Sequence, residues 1–341
     1  MSLPPLPEHY QPQRVGEVWR VPYQERVDEA IVWREQQSIS AATDDAQRVG
    51  LLLIDVQNTF CIPDFELFVG GRSGQGAVED NRRLCEFIYR NLGQITQIVA
   101  TLDTHTVTQI FHPVFWVDAA GEHPAPFTVI SADEVERGTW RVNPTAATLT
   151  PNGAAWLQDY AAHYVKTLTQ NSKYPLVIWP YHGILGGIGH ALVSAVEEAC
   201  LFHNVVRSSP THLEQKGSNP LTENYSALRP EVETDHTGQA IAVPNAAFLE
   251  RLLRFDRLIV AGQAQSHCVA WTVSDLLSEL RSLRPEFIER VYLLEDCTSA
   301  VVAPEADFTS QATAAFAEFA AAGMHRVRST EAMTRWPGMA S

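Results

Sequence analysis

The chain has 341 residues, 45% of them apolar and 19% charged, which is the balance of an ordinary globular protein long enough to bury a large core. A net charge of −15 without any basic block excludes a surface built to neutralise nucleic-acid phosphates. Five dispersed cysteines (Cys61, Cys85, Cys200, Cys268, Cys297) show no C-x-x-C spacing and read as free thiols of a reducing compartment.

Residues 1–47 read as an N-terminal extension, polar and proline-containing, with one helix in "YQERVDEAIVWREQQ" (23–37). The start of the chain has neither a basic nor an apolar leader segment, and no apolar run approaches the ~20 residues of a membrane span, so a cytoplasmic protein is expected. From residue 48 to 341 the pattern alternates. "VGLLLIDV" (49–56) reads as a buried strand, "VEDNRRLCEFIYRNLGQ" (78–94) as helix and "ITQIVATLD" (95–103) as strand. Next come a helix at 151–168, a strand in "YPLVIWP" (174–180) and a helix at 187–204. A strand in "DRLIVAG" (256–262), a helix from Cys268 to Leu283, a strand in "ERVYLLED" (289–296) and an Ala-rich helix ending at Gly323 complete the series. Such alternation predicts an α/β fold, a mainly parallel central sheet between two layers of helices. Two long irregular segments, near 104–173 and 205–243, interrupt it, and loops of that length are more often functional than not.

In open parallel sheets ligands bind beyond the carboxyl ends of the strands. Sorted by that rule, the polar residues reduce to Asp55, Asp103, His105, His182, the run Gln263 to Cys268, and Asp296. Each has an ordinary alternative. A carboxylate after a strand can simply cap the next helix, and a cysteine at a helix start can be an inert core residue.

The set "DVQNTF", "DTH", "WPYH", "QKGSNPLTENYSAL" and "GQAQSHCV" resembles the isochorismatase-like cysteine hydrolases, in particular their nicotinamidase branch, over roughly residues 49–305. The resemblance implies a three-layer α/β/α hydrolase fold with the catalytic trio Asp55, Lys216 and Cys268. It implies an oxyanion hole from the backbone N–H groups of Ala264 and Cys268, and a cis bond between Gln263 and Ala264. Asp103, His105 and His182 would hold a divalent metal, zinc foremost, with iron or manganese as alternatives, and no organic cofactor is implied. Phe60, Trp179 and Tyr225 match the aromatic residues around the substrate's pyridine ring. Several positions depart from the family pattern. His112 falls one residue further along than the metal motif expects, Gly183 stands where the family has a cysteine, and the run "QSH" replaces the family's usual aspartate shortly before the nucleophile. These changes leave the trio intact and the substrate open.

The implied reaction is hydrolysis of a linear amide C–N bond in a small molecule, nicotinamide to nicotinate and ammonia, through a Cys268 thioester, a step of NAD salvage. Another small amide or carbamoyl compound is the alternative, and a non-catalytic interaction protein is the third reading. The isochorismate-cleaving branch lacks the cysteine, so Cys268 counts against it. Neither a nucleic-acid nor a membrane partner is expected, and self-association is open.

Overall fold

The computed structural model describes residues 4–170, 174–303 and 306–339, so the first three residues of the extension and 171–173 of the first long segment lie outside it. The chain divides into two compact units, one of 1–102, 191–214 and 246–341, the other of 103–190 and 215–245.

The first unit is built on a six-stranded sheet: β1 (Val49–Ile54), β2 (Gln97–Asp103), β3 (His212–Lys216), β4 (Arg257–Gly262), β5 (Val291–Leu294) and β6 (His325–Val327), in the order β6-β5-β4-β1-β2-β3. The pairs β1–β2, β1–β4, β4–β5 and β5–β6 are parallel. On one face, Leu51 and Leu53 of β1, Ile98 and Ala100 of β2, and Ile259 and Ala261 of β4 share a core with Leu84, Phe87 and Ile88 of helix Gly76–Arg90 and Val196, Ala199 and Phe202 of helix Ser194–Arg207. The alternate residues Leu52, Val99, Val260 and Leu293 are buried as well, so the sheet is covered on both faces. Helices Ala270–Leu283 and Thr309–Ala321 pack against each other. This is the three-layer α/β/α arrangement with a mainly parallel sheet that the alternation predicts.

The extension contributes to this core. Tyr10, Val15 and Ala30 join it, and helix Tyr23–Gln36 packs along helix Ser194–Arg207, held by the Arg26–Glu198 ion pair at 2.7 Å. All five cysteines are buried and free, as their dispersion predicts. Among the described residues no helix is long and apolar enough to cross a membrane.

Several elements differ from the sequence reading, which has no strand at the place of the edge strand β6. The run 174–180 does not join the central sheet: only Leu176–Val177 is extended, paired antiparallel with Val129–Ile130, because Pro175 and Pro180 remove amide donors from its flanks. The edge strand β3 lies inside a segment read as irregular. The helix expected from residue 187 starts at Ser194, after a short turn at Ile188–His190. The second unit has its own core, in which Phe111, Phe115 and Trp116 meet Tyr160 and Tyr164 of helix Gly153–Gln170.

Gly262 ends β4 at a φ of +120°, and a Cβ there would lie 2.1 Å from the Ile54 carbonyl oxygen and 2.5 Å from its nitrogen. Both obstacles are backbone atoms of the paired strand and cannot rotate away. Gly262→Ala is therefore expected to cost about 3–4 kcal/mol of unfolding free energy, read as a lower denaturant midpoint at unchanged slope.

Candidate active site

In the first unit, β1 and β4 run parallel with Ile54 opposite Gly262, so Asp55 and the segment 263–268 leave the sheet at the same edge. Asp55 is fully buried at a φ of +49°, a left-handed conformation that aspartate tolerates better than most residues. Thr101 of β2 fixes it twice: the Asp55 N–H donates to Thr101 Oγ1 at 3.0 Å, and that hydroxyl donates to Asp55 Oδ1 at 2.5 Å.

The peptide bond between Gln263 and Ala264 is cis, as the resemblance implies. Gln265–Val269 forms one wide helical turn, in which the N–H groups of His267 and Val269 both donate to the Ala264 carbonyl, at 3.0 and 3.1 Å. Cys268 lies in this turn, 8% exposed, immediately before helix Ala270–Leu283. Ala264 and Cys268 are thus brought into one turn. Phe60 sits half-buried in the short helix Asn58–Cys61 and packs on the first unit's core.

In the second unit, one oxygen of Asp103 gathers two imidazoles. His105 Nε2 lies 2.9 Å and His182 Nε2 3.5 Å from Asp103 Oδ2. The other ring nitrogens face carbonyls: His105 Nδ1 lies 3.1 Å from the Gly217 oxygen and His182 Nδ1 2.8 Å from that of Pro180. A carbonyl only accepts, so each Nδ1 carries the proton and each Nε2 turns a lone pair toward the carboxylate. Three buried acceptor atoms within 4.8 Å of one another then call for a cation. The donor set, two imidazoles and a carboxylate, fits zinc, iron or manganese. Gly217, at a φ of +79°, permits the close approach, since a Cβ there would lie 2.6 Å from His105 Cε1.

Lys216 completes this half. Its ammonium donates to Asp103 Oδ1 at 2.9 Å and to the Asn224 carbonyl at 2.7 Å, and it is 5% exposed. Burial works to raise the Asp103 carboxyl, and the Lys216 ammonium works to lower it. Burial, opposed by Asp103, lowers His182. His112 stands apart from the group of three: its Nδ1 faces the Val107 carbonyl at 3.1 Å, and its Nε2 is buried without a partner. Its ring centre is 5.5 Å from that of His182, and burial pushes it down to about 3.

Trp179 and Tyr225 both adjoin Glu223, whose Oε1 accepts the Trp179 indole N–H at 2.8 Å. Burial, reinforced by Glu231, pushes the Glu223 carboxyl well above its ordinary value. Sequence reasoning missed Thr101, Glu223 and the Asn224 carbonyl. Glu223 sits in plain view between Lys216 and Tyr225, but nothing in the spacing marks it, and a carbonyl partner leaves no trace in side-chain identity.

No protein-family model matches the sequence, and no curated protein is significantly similar to it. Among solved structures, the chain is similar to the yeast nicotinamidase Pnc1p bound to the inhibitor nicotinaldehyde, at 16% identity and a TM-score of 0.51, over 82% of this chain and 99% of that one. A second structure of yeast Pnc1p gives 17% identity and a TM-score of 0.50 over 82% and 99%. A nicotinamidase/pyrazinamidase of Acinetobacter baumanii aligns over 84% of this chain and 99% of that chain at 18% identity and a TM-score of 0.49. At such identities the likeness to Pnc1p establishes the fold, and on the fold it agrees with the resemblance read from the motifs.

Proposed function

We propose that the protein is a metal-containing cysteine amidohydrolase that converts nicotinamide to nicotinate and ammonia. The observation that carries this reading is the register of β1 against β4, which sends Asp55 and the Cys268 turn off the same sheet edge. Asp55 takes the Cys268 thiol proton, and the thiolate sulfur forms a bond to the carboxamide carbon. The N–H groups of Ala264 and Cys268 receive the negative charge that develops on the oxygen, a contribution of about 3 kcal/mol for a well-placed donor. Collapse breaks the C–N bond, and Asp55 returns the proton to the departing ammonia. Water then cleaves the thioester to release the acid.

Lys216 is assigned charge stabilisation, and Phe60, Trp179 and Tyr225 are assigned the walls around the ring. A divalent ion held by Asp103, His105 and His182 would supply a ligand position for the ring nitrogen and so orient the substrate. The other small-amide reading draws on the second unit, where Trp179 is tied to the buried Glu223, a polar group beside that wall.

Purified protein given nicotinamide is expected to release one ammonia per nicotinate formed. Dialysis against a chelator should remove about one metal per chain and at least 90% of the rate, with recovery on adding zinc. A metal-loaded protein that leaves nicotinamide unchanged but hydrolyses another small amide would replace this substrate with that one.

A further inference from the structure

The turn that carries Ala264 and Cys268 is clamped from behind by a buried polar network. Gln263 is fully buried, and its backbone N–H and both ends of its side-chain amide are engaged. Its backbone N–H donates to the Ile54 carbonyl at 2.7 Å, its Nε2 donates to Asp80 Oδ2 at 2.8 Å, and its Oε1 accepts the Ser299 N–H at 3.2 Å. Asp80, 2% exposed on helix Gly76–Arg90, pairs its other oxygen with Arg83 at 2.9 Å, and Arg83 donates to the Asp296 carbonyl. The loop after β5 closes the ring: the Ser299 carbonyl accepts the Gln265 N–H at 2.8 Å, and the Val301 N–H donates to Ser266 Oγ at 3.1 Å. Immediately before Ala264, Gln263 thus holds β1 through its backbone and the helix and β5 loop through its side-chain amide.

Ordinary packing explains such a network poorly. An apolar side chain would fill the same space without burying a carboxylate and a carboxamide, and buried polar groups are retained at a cost unless they fix a geometry. What lies next along the chain are the two N–H groups assigned to the oxyanion, whose placement matters at the level of tenths of an ångström.

We propose that Asp80 and Gln263 are positioning residues that set the Ala264–Cys268 turn for the developing oxyanion. The proposal rests on the amidohydrolase reading for its purpose and on the hydrogen-bond network for its mechanics.

The test compares wild type with Gln263→Leu, which keeps the volume and removes both bonds, with Asp80→Ala, and with Asp80→Asn, which keeps an oxygen for the Gln263 amide. Amide hydrogen exchange in peptides covering 264–269 is expected to quicken about tenfold or more in the first two, with 258–261 unchanged. In the same variants kcat for the amide should fall roughly tenfold to a hundredfold with KM within about twofold, and Asp80→Asn should recover most of both losses. Unchanged exchange in 264–269 overturns the positioning role whatever the activity. Faster exchange with wild-type kcat overturns its catalytic purpose. A wild type that hydrolyses no amide removes the amidohydrolase reading, and the exchange result still decides the clamp.

Discussion

Cys268→Ala is expected to stop ammonia release, lowering kcat by at least about 10⁴ while metal content stays at the wild-type level. No other thiol can stand in. Burial pushes Cys61 and Cys200 up to about 12 and holds Cys85 and Cys297 well above the ordinary thiol range, so all four remain protonated at neutral pH. Cys268 is the cysteine in a helical turn at the sheet edge shared with Asp55. Giving a proton from an ordinary thiol to an ordinary carboxylate is uphill by about 4.6 pH units, or ~6 kcal/mol, so the aspartate alone cannot activate the sulfur. Closing that gap is the role the proposed mechanism assigns to a helix N-terminus and to Lys216. The alanine side chain fits the space and leaves the turn's backbone bonds in place, so the melting temperature should move by only a few degrees. Iodoacetamide at neutral pH should label Cys268 before any other cysteine. A variant that retained more than about 1% of the wild-type rate would show that some other group attacks the carbonyl.

The sheet is legible in the sequence where apolar runs are buried on both faces. Val49–Ile54, Gln97–Asp103, Arg257–Gly262 and Val291–Leu294 each stand out because a covered parallel strand needs apolar residues at consecutive positions. His212–Lys216 does not, because an edge strand with alternating exposure can be written "HLEQK". The opposite error falls on 174–180, where an apolar run bounded by prolines is used in the second unit's core instead. At the candidate site, Asp103 and His105 are visible as a pair at a strand end, whereas His182 joins them from 77 positions along the chain only through the fold. The extension reads as an appendage because its helix is amphipathic only weakly, yet Tyr10, Val15 and Ala30 enter the main core. What the sequence hides most completely are the backbone acceptors, the Gly217, Pro180 and Asn224 carbonyls, which orient the imidazoles and the ammonium from positions that carry no marker.

Asp103→Ala should cost both the metal and a large part of the stability. The carboxylate is shared: Oδ2 faces His105 and His182, and Oδ1 receives the Lys216 ammonium. Removing it takes one of the three proposed ligands, so metal content should fall from about one per chain to below about 0.1. It also takes a carboxylate partner from the Lys216 ammonium, which is 5% exposed and donates to the Asn224 carbonyl as well. Removing one partner of a buried ion pair typically costs about 3–5 kcal/mol, far more than the pair itself contributes. The two losses separate in a second variant. Asp103→Asn keeps an oxygen for the ammonium and the same volume, so its stability loss should be roughly half as large while the metal is still lost. A third variant isolates the ammonium. If the broken Asp103–Lys216 pair is the cause, adding Lys216→Met to Asp103→Ala should recover about 2 kcal/mol or more of the lost unfolding free energy, a coupling that independent sites do not show. Denaturant midpoints of the three apo-proteins, measured in chelator so that metal binding does not enter, decide it. Equal midpoints for Asp103→Ala and the double variant would mean that the ammonium finds water or another acceptor when Asp103 is gone, and that Lys216 is not held in a closed site.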